Sequence, residues 1–269
     1  MEHTFVQFEG KNIHYQSEGE GEKVLVFLHG YLNDLNVWAS YIYSYMRNMR
    51  VIAIDLPGHG LSDTFDDVHT MEFMAQTVKA VLDAEKVTQC VLMGHSMGGY
   101  VSLAFAEAYP EMLKGLILLH SQALVDNNES KANRLKTCET VKNKRVSYII
   151  SFIPELFAKE NREPMGQDIK EIQEDALRTS ERAIVAAQKG MLCRKSRVGL
   201  LSQLDIPILF IFGKKDQRIP LEIGLSQAML PKYSETIILG NSGHMGHFEE
   251  RKYLKLKIYN FAQSCYYLP

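Results

Sequence analysis

The chain has 269 residues, 46% hydrophobic and 23% charged, with 18 Gly and 8 Pro, a composition that excludes disordered, collagen-like and coiled-coil chains and allows a sizeable core. Thirty Lys and Arg stand against 32 Asp and Glu, a formal charge of −2, so no net field draws in a polyanion or an anionic membrane, and nucleic-acid binding is not expected. No apolar run, residues 206–212 included, approaches the ~20 residues of a membrane span. The N-terminus has neither the basic nor the apolar stretch of a signal peptide. Four scattered cysteines without a C-x-x-C pair suggest free thiols in a reducing cytoplasm. No pattern in the chain speaks to oligomeric state.

In chain order, residues 24–28 form an apolar run ended by His29-Gly30, and residues 51–54 another ended by Asp55-Leu56-Pro57-Gly58. Apolar residues at three- and four-residue spacing predict a helix over 71–84, and residues 91–93 a further strand. A second helix follows from Ser96 to Tyr109, where Pro110 stops it, and then strands at 116–119, 208–212 and 236–239. Runs apolar on both faces belong in a parallel sheet covered by helices. Right-handed crossovers then give an α/β fold with a doubly wound, mostly parallel sheet.

Residues 121–201 carry no convincing strand and are rich in helix formers at 169–177 and 181–192. The expected division is a core of residues 1–120 and 202–269 with a helical cap insertion at 121–201. Ligands of open α/β sheets sit outside the carboxyl ends of the strands, where such an insertion would cover them. Tyr148, Phe152, Ile153, Leu156 and Phe157 either line a pocket there or pack the helices on each other.

Gly94-His95-Ser96-Met97-Gly98-Gly99 stands at the end of one strand and opens a helix, the context that makes G-x-S-x-G a nucleophile turn rather than a chance match. No Gly-Lys-Ser/Thr follows, which argues against a phosphate loop. A serine needs a base, and the base needs a carboxylate. Asp216 follows the strand at 208–212, and His244 follows the strand at 236–239. Asp126 is the second-choice acid, while Asp205 precedes its strand and lies at the wrong end of the sheet. His247 is expected in a solvated or capping role. His244 and His247 with Glu249 could also be read as a metal cluster, but H-x-x-H alone is a weak pattern. The backbone amides of Tyr31 and Met97 are the expected oxyanion donors; His29 is expected to brace its loop and His95 to pack.

The stretches LHGYL at 28–32, DLPGHGLSD at 55–63, GHSMGG at 94–99 and GNSGHMGHFEE at 240–250 closely resemble the α/β-hydrolase fold family, over residues 11–261. The resemblance implies a Ser96, Asp216 and His244 triad, an oxyanion hole at Tyr31 and Met97, a structural Asp55, and neither cofactor nor metal. Dehalogenases and epoxide hydrolases of this fold carry Asp where this chain has Ser96. The lipase-type HGGG motif is also absent. The leading expectation is therefore a serine hydrolase of a small carboxylic ester or thioester. Hydrolysis of a C–C bond in a β-diketone or meta-cleavage-type product is the alternative, needing a cap cation such as Arg194, Lys195 or Arg197. A small-molecule receptor on the same fold is a third possibility.

Overall fold

Five of the six continuous apolar runs become strands because each buries side chains on both faces of one sheet; the sixth, over residues 236–239, forms an outer strand in which only Leu239 is buried. The computed structural model describes residues 3–267. Its strands are β1 (Thr4–Phe8), β2 (Lys11–Glu18), β3 (Val24–Leu28), β4 (Arg50–Ile54), β5 (Cys90–His95), β6 (Leu113–Leu119), β7 (Ile208–Gly213) and β8 (Ser234–Leu239). They pair in the order β1-β2-β4-β3-β5-β6-β7-β8. Pairing is parallel from β4 to β8 and antiparallel at β1–β2 and β2–β4. Along β3, Val24, Val26 and Leu28 enter one core while Leu25 and Phe27 enter the other. The first core lies under α2 (Met71–Ala84), α3 (Met97–Ala108) and α8 (Leu221–Ala228), the second under α1 (Ala39–Tyr45) and α10 (Arg251–Cys265). Burial on both faces at roughly 25 cal/mol per Å² makes these runs the sheet's main stabilising element.

The hairpin β1–β2 is not among the expected strands. Its strands mix polar with apolar residues instead of forming a continuous run; β1 is the sheet edge, β2 pairs on both sides, and Glu9 and Gly10 turn the hairpin with φ of 48° and 76°.

Between β6 and β7 the described residues contain helices and no strand: α4 (Asn128–Phe152), α5 (Gly166–Ala176), α6 (Glu181–Leu192) and α7 (Val198–Leu201). The length of α4 is unforeseen, since its sequence is polar and only Cys138, Val141 and Ile149 are buried. It starts at Asn127, whose side chain accepts from the Ser130 amide at 2.8 Å, and it bends at Lys144, where φ and ψ are −141° and 43°. A short α9 (Gly246–Glu249) precedes α10. All four cysteines are unpaired. Among the described residues no helix is long and apolar enough to cross a membrane.

The site's position follows from strand order. The chain leaves β3 for β4 on one side, then crosses back to β5 on the other. Loops that diverge in this way open a crevice at the carboxyl ends of neighbouring strands. Tyr31 follows β3 and Ser96 follows β5 at that crevice.

Candidate active site

Ser96 sits between β5 and α3 with φ 49° and ψ −112°, a region costly for a residue with a Cβ, by about 1–3 kcal/mol. The conformation is held from both sides: the Ser96 amide donates to Leu119 O at 2.9 Å, and Ser121 Oγ donates to Ser96 O at 2.8 Å. Gly98 explains the motif's small residue, because a Cβ there would stand 2.6 Å from Leu28 O. The hydroxyl is thus presented at the first turn of α3, whose dipole favours a developing negative charge. Among the described residues the Tyr31 and Met97 amides donate to no protein acceptor.

His244 and Asp216, 28 residues apart in sequence, meet with Nδ1 and Oδ2 2.8 Å apart. The carboxylate is buried and accepts three further bonds, from His120 Nδ1 at 3.1 Å on the same oxygen and from the Arg218 and Ile219 amides at 2.7 and 3.1 Å on the other. Burial alone would raise its pKa; the charge of His244 and the bonds from His120 and His244 outweigh that and hold it well below the usual carboxylate range. Asp216 is therefore ionised at neutral pH. Its link to His244 Nδ1 leaves Nε2 as the free nitrogen of that ring.

Ser96 and His244 both line a cavity of about 670 Å³, within the size range of small-molecule sites. Tyr31, Tyr148, Phe152 and Leu156 form one side, with the Tyr31 and Phe152 rings edge to face at 5.8 Å. Arg134, Asp126 and Gln188 give a polar side. Of the aromatic and aliphatic residues expected either to line a pocket or to pack helices, Tyr148, Phe152 and Leu156 do the former, while Ile153 and Phe157 pack in the core.

Several expectations need correction. Asp126 does not reach His244: it pairs with Arg134 at 2.5 Å and Arg194 at 2.8 Å. Arg194, Lys195 and Arg197 do not line this cavity, because Arg194 is bound to Asp126 and Arg197 to Glu72 and Glu107. The cavity's cations are Arg134 and Arg218. His247 is buried, 4.8 Å from the Trp38 ring, and not solvated. Glu249 shares no metal cluster with it, since its oxygens accept from the Gly243, Met245 and Ala158 amides. Asp205 pairs at the surface with Lys232. His29 braces its loop as expected, linking Gly30 O and the Leu56 amide. His95 packs and donates through Nε2 to His244 O at 2.9 Å. Asp55 is structural, accepting from His14 Nδ1 and the Leu35 and Leu61 amides.

His120 is the residue that sequence reasoning missed. Its only signal was a polar side chain directly after β6, at the sheet end where sites lie.

A family model of the alpha/beta hydrolase fold matches residues 23–137. A thermophilic esterase from Thermogutta terrifontis, solved with malate bound, superposes with a TM-score of 0.92 at 28% identity, covering 98% of this chain and 99% of its own. The 2-hydroxy-6-oxononadienedioate/2-hydroxy-6-oxononatrienedioate hydrolase of Paraburkholderia phymatum is 25% identical over 93% of this chain and 90% of its length. The dihydrolipoyllysine-residue acetyltransferase component of the acetoin cleaving system of Pseudomonas putida is 29% identical over 93% of this chain, which spans 66% of that protein. Sheet order, the strained turn after β5 and these likenesses agree: the chain has the α/β-hydrolase fold.

Proposed function

We propose that this protein is a serine hydrolase of small carboxylic esters or thioesters, working through an acyl-enzyme on Ser96. The observation that carries the proposal is the placement of a strained Ser96 on the wall of the same cavity as a His244 backed by ionised Asp216. In this reading Ser96 Oγ attacks the acyl carbon as His244 Nε2 takes its proton. The Tyr31 and Met97 amides receive the oxyanion, each such donor being worth roughly 2.7–4 kcal/mol of barrier. His244 returns the proton to the leaving alcohol or thiol. Water, activated by the same histidine, then releases the acid. Residues 121–201 act as a cap over a core of residues 1–120 and 202–269. The unpaired thiols fit a reducing cytoplasm.

A second reading, hydrolysis of a C–C bond next to a carbonyl, draws on the relative named for such a substrate and on Arg134 and Arg218 at the cavity. It is the weaker of the two, because Arg134 is already committed to Asp126 and Gln188 and Arg218 lies over the Phe152 ring, near Glu155.

The test is labelling by a fluorophosphonate probe, wild type beside Ser96→Ala, together with turnover of p-nitrophenyl esters from acetate to decanoate. Labelling that disappears with Ser96→Ala, and turnover concentrated in one range of chain length, are expected. Labelling without ester turnover would favour the C–C reading. Absence of labelling would overturn the serine mechanism.

A further inference from the structure

His120 has a backbone φ of 47°, as unusual for a side-chain-bearing residue as that of Ser96. The turn comes directly after β6, where the His120 amide donates to Ile211 O at 2.8 Å. It aims a fully buried ring at two partners. Nε2 lies 3.2 Å from the Gly246 amide nitrogen and Nδ1 lies 3.1 Å from Asp216 Oδ2. A backbone N–H can only donate, so Nε2 accepts, the ring's proton is on Nδ1, and Nδ1–H donates to the carboxylate. A second ring proton would break the Gly246 bond. Gly246 itself is required by this contact, because a Cβ there would stand 2.5 Å from His120 Nε2.

The consequence lies in Asp216 Oδ2, the one oxygen that both His120 and His244 use. We propose that His120 is a positioning residue for the hydrolysis: a fixed neutral donor that shares Asp216 with His244, anchors the carboxylate and draws off part of its charge, and so sets the pH above which His244 serves as base. The inference rests on the serine mechanism proposed above. The other groups around the cluster do not compete for this role. His95, from β5, and His247, from α9, are pushed well below the ordinary histidine value, by burial first and then by the neighbouring histidines, and stay neutral. Arg251, at the start of α10, keeps a constant charge and acts on His247.

The sign of the effect follows. With the His120 donor removed, the whole charge of the carboxylate faces His244, the imidazolium is favoured, and the acid limb of the pH–rate profile moves to higher pH. The experiment measures the second-order rate of Ser96 phosphonylation by a fluorophosphonate from about pH 5 to pH 9, which needs no knowledge of the natural substrate. His120→Leu is expected to move the acid limb up by roughly half to one pH unit and to slow the plateau roughly tenfold, since the carboxylate has lost one of its anchors. His120→Asn, whose Nδ2 can occupy the position of Nδ1, is expected to return the limb to its wild-type place. Gly246→Ala, whose Cβ would stand 2.5 Å from both His120 Nε2 and Leu239 Cδ1 and so displaces the ring without altering its chemistry, is expected to move the limb in the same direction as His120→Leu. Should His120→Leu not fold, Gly246→Ala against His120→Asn makes the same comparison. An unmoved limb in the folded His120→Leu or Gly246→Ala variant, or a limb displaced in His120→Asn as far as in His120→Leu, overturns the role of His120 while leaving the serine mechanism standing. A wild type that is not labelled overturns both.

Discussion

Ser96→Ala and His244→Ala are each expected to reduce kcat on p-nitrophenyl esters by roughly a millionfold, with the double variant no worse than either single one. The reason is that both side chains take part in one event. Without the Ser96 hydroxyl there is no nucleophile for His244 to activate, and without His244 nothing takes the proton as Ser96 attacks. What survives, roughly 10³–10⁴ over water, would come from cavity binding and the Tyr31 and Met97 amides. Asp216→Asn is expected to cost about 10⁴-fold. Donors from His120, His244, Arg218 and Ile219 converge on the two carboxylate oxygens. An amide has one oxygen and brings its own N–H groups into a ring of donors, so His244 would lose its orientation and its tautomer. Losses that multiply in the Ser96→Ala/His244→Ala double variant would show that the two residues act independently and would sink the shared proton transfer.

Why these residues could be found in the sequence, and others could not, is a matter of how local their signals are. The strands β3 to β7 are legible because a strand buried on both faces is apolar almost throughout, and the run from Val24 to Leu28 has no other reading; β8, largely exposed at the sheet edge, is legible from its short run Ile237–Leu239 alone. Ser96 is legible because its turn needs small residues at fixed offsets within six positions. Asp216 and His244 each follow one of these strands. The hairpin β1–β2 escapes because neither strand is a continuous apolar run: β1 lies at the sheet edge, β2 buries the polar His14 and Gln16, and Glu9-Gly10 is a weak turn signal. His120 escapes because its role depends on a contact with a carboxylate 96 residues away, which no local pattern encodes. The helical segment between β6 and β7 is the least legible part. A helix such as α4 presents its chemistry by rotation about its own axis, and the Lys144 bend resets that rotation midway. Arg134 reaches the cavity, while Arg194 pairs with Asp126 behind the cavity lining and Lys195 and Arg197 turn to Glu72.

Asp126 shows what a plausible acid in the wrong place does instead. It is buried between two arginines, with side-chain exposures of 5% for Asp126, 2% for Arg194 and 18% for Arg134. Burial alone would raise its pKa, but hydrogen bonds from Arg194 and Arg134 and their charges hold it below the usual value. Asp126→Ala removes the counter-charge and leaves the Arg194 guanidinium in the interior with the Leu124 and Met191 carbonyls and the face of the Tyr100 ring, and no anion, as partners among the described residues. Stranding one member of a buried pair costs about 3–5 kcal/mol. At roughly 2–4 °C per kcal/mol for a chain near this size, the melting temperature should fall by about 6 °C or more. Adding Arg194→Met to Asp126→Ala removes the stranded charge and should recover much of the loss, because an apolar replacement of similar volume is often neutral. The pH dependence has a defined sign. A carboxylate with a lowered folded-state pKa stabilises fully above its unfolded value of about 3.9 and loses that contribution as pH falls through the folded value. The gap in melting temperature between wild type and Asp126→Ala should therefore be constant near neutrality and close only in acid below that value. A gap already closing between about pH 7 and pH 5 would mean that Asp126 is not held ionised by its arginines. A rate loss in folded Asp126→Ala larger than that in Asp216→Asn would transfer the catalytic carboxylate to the loop after β6.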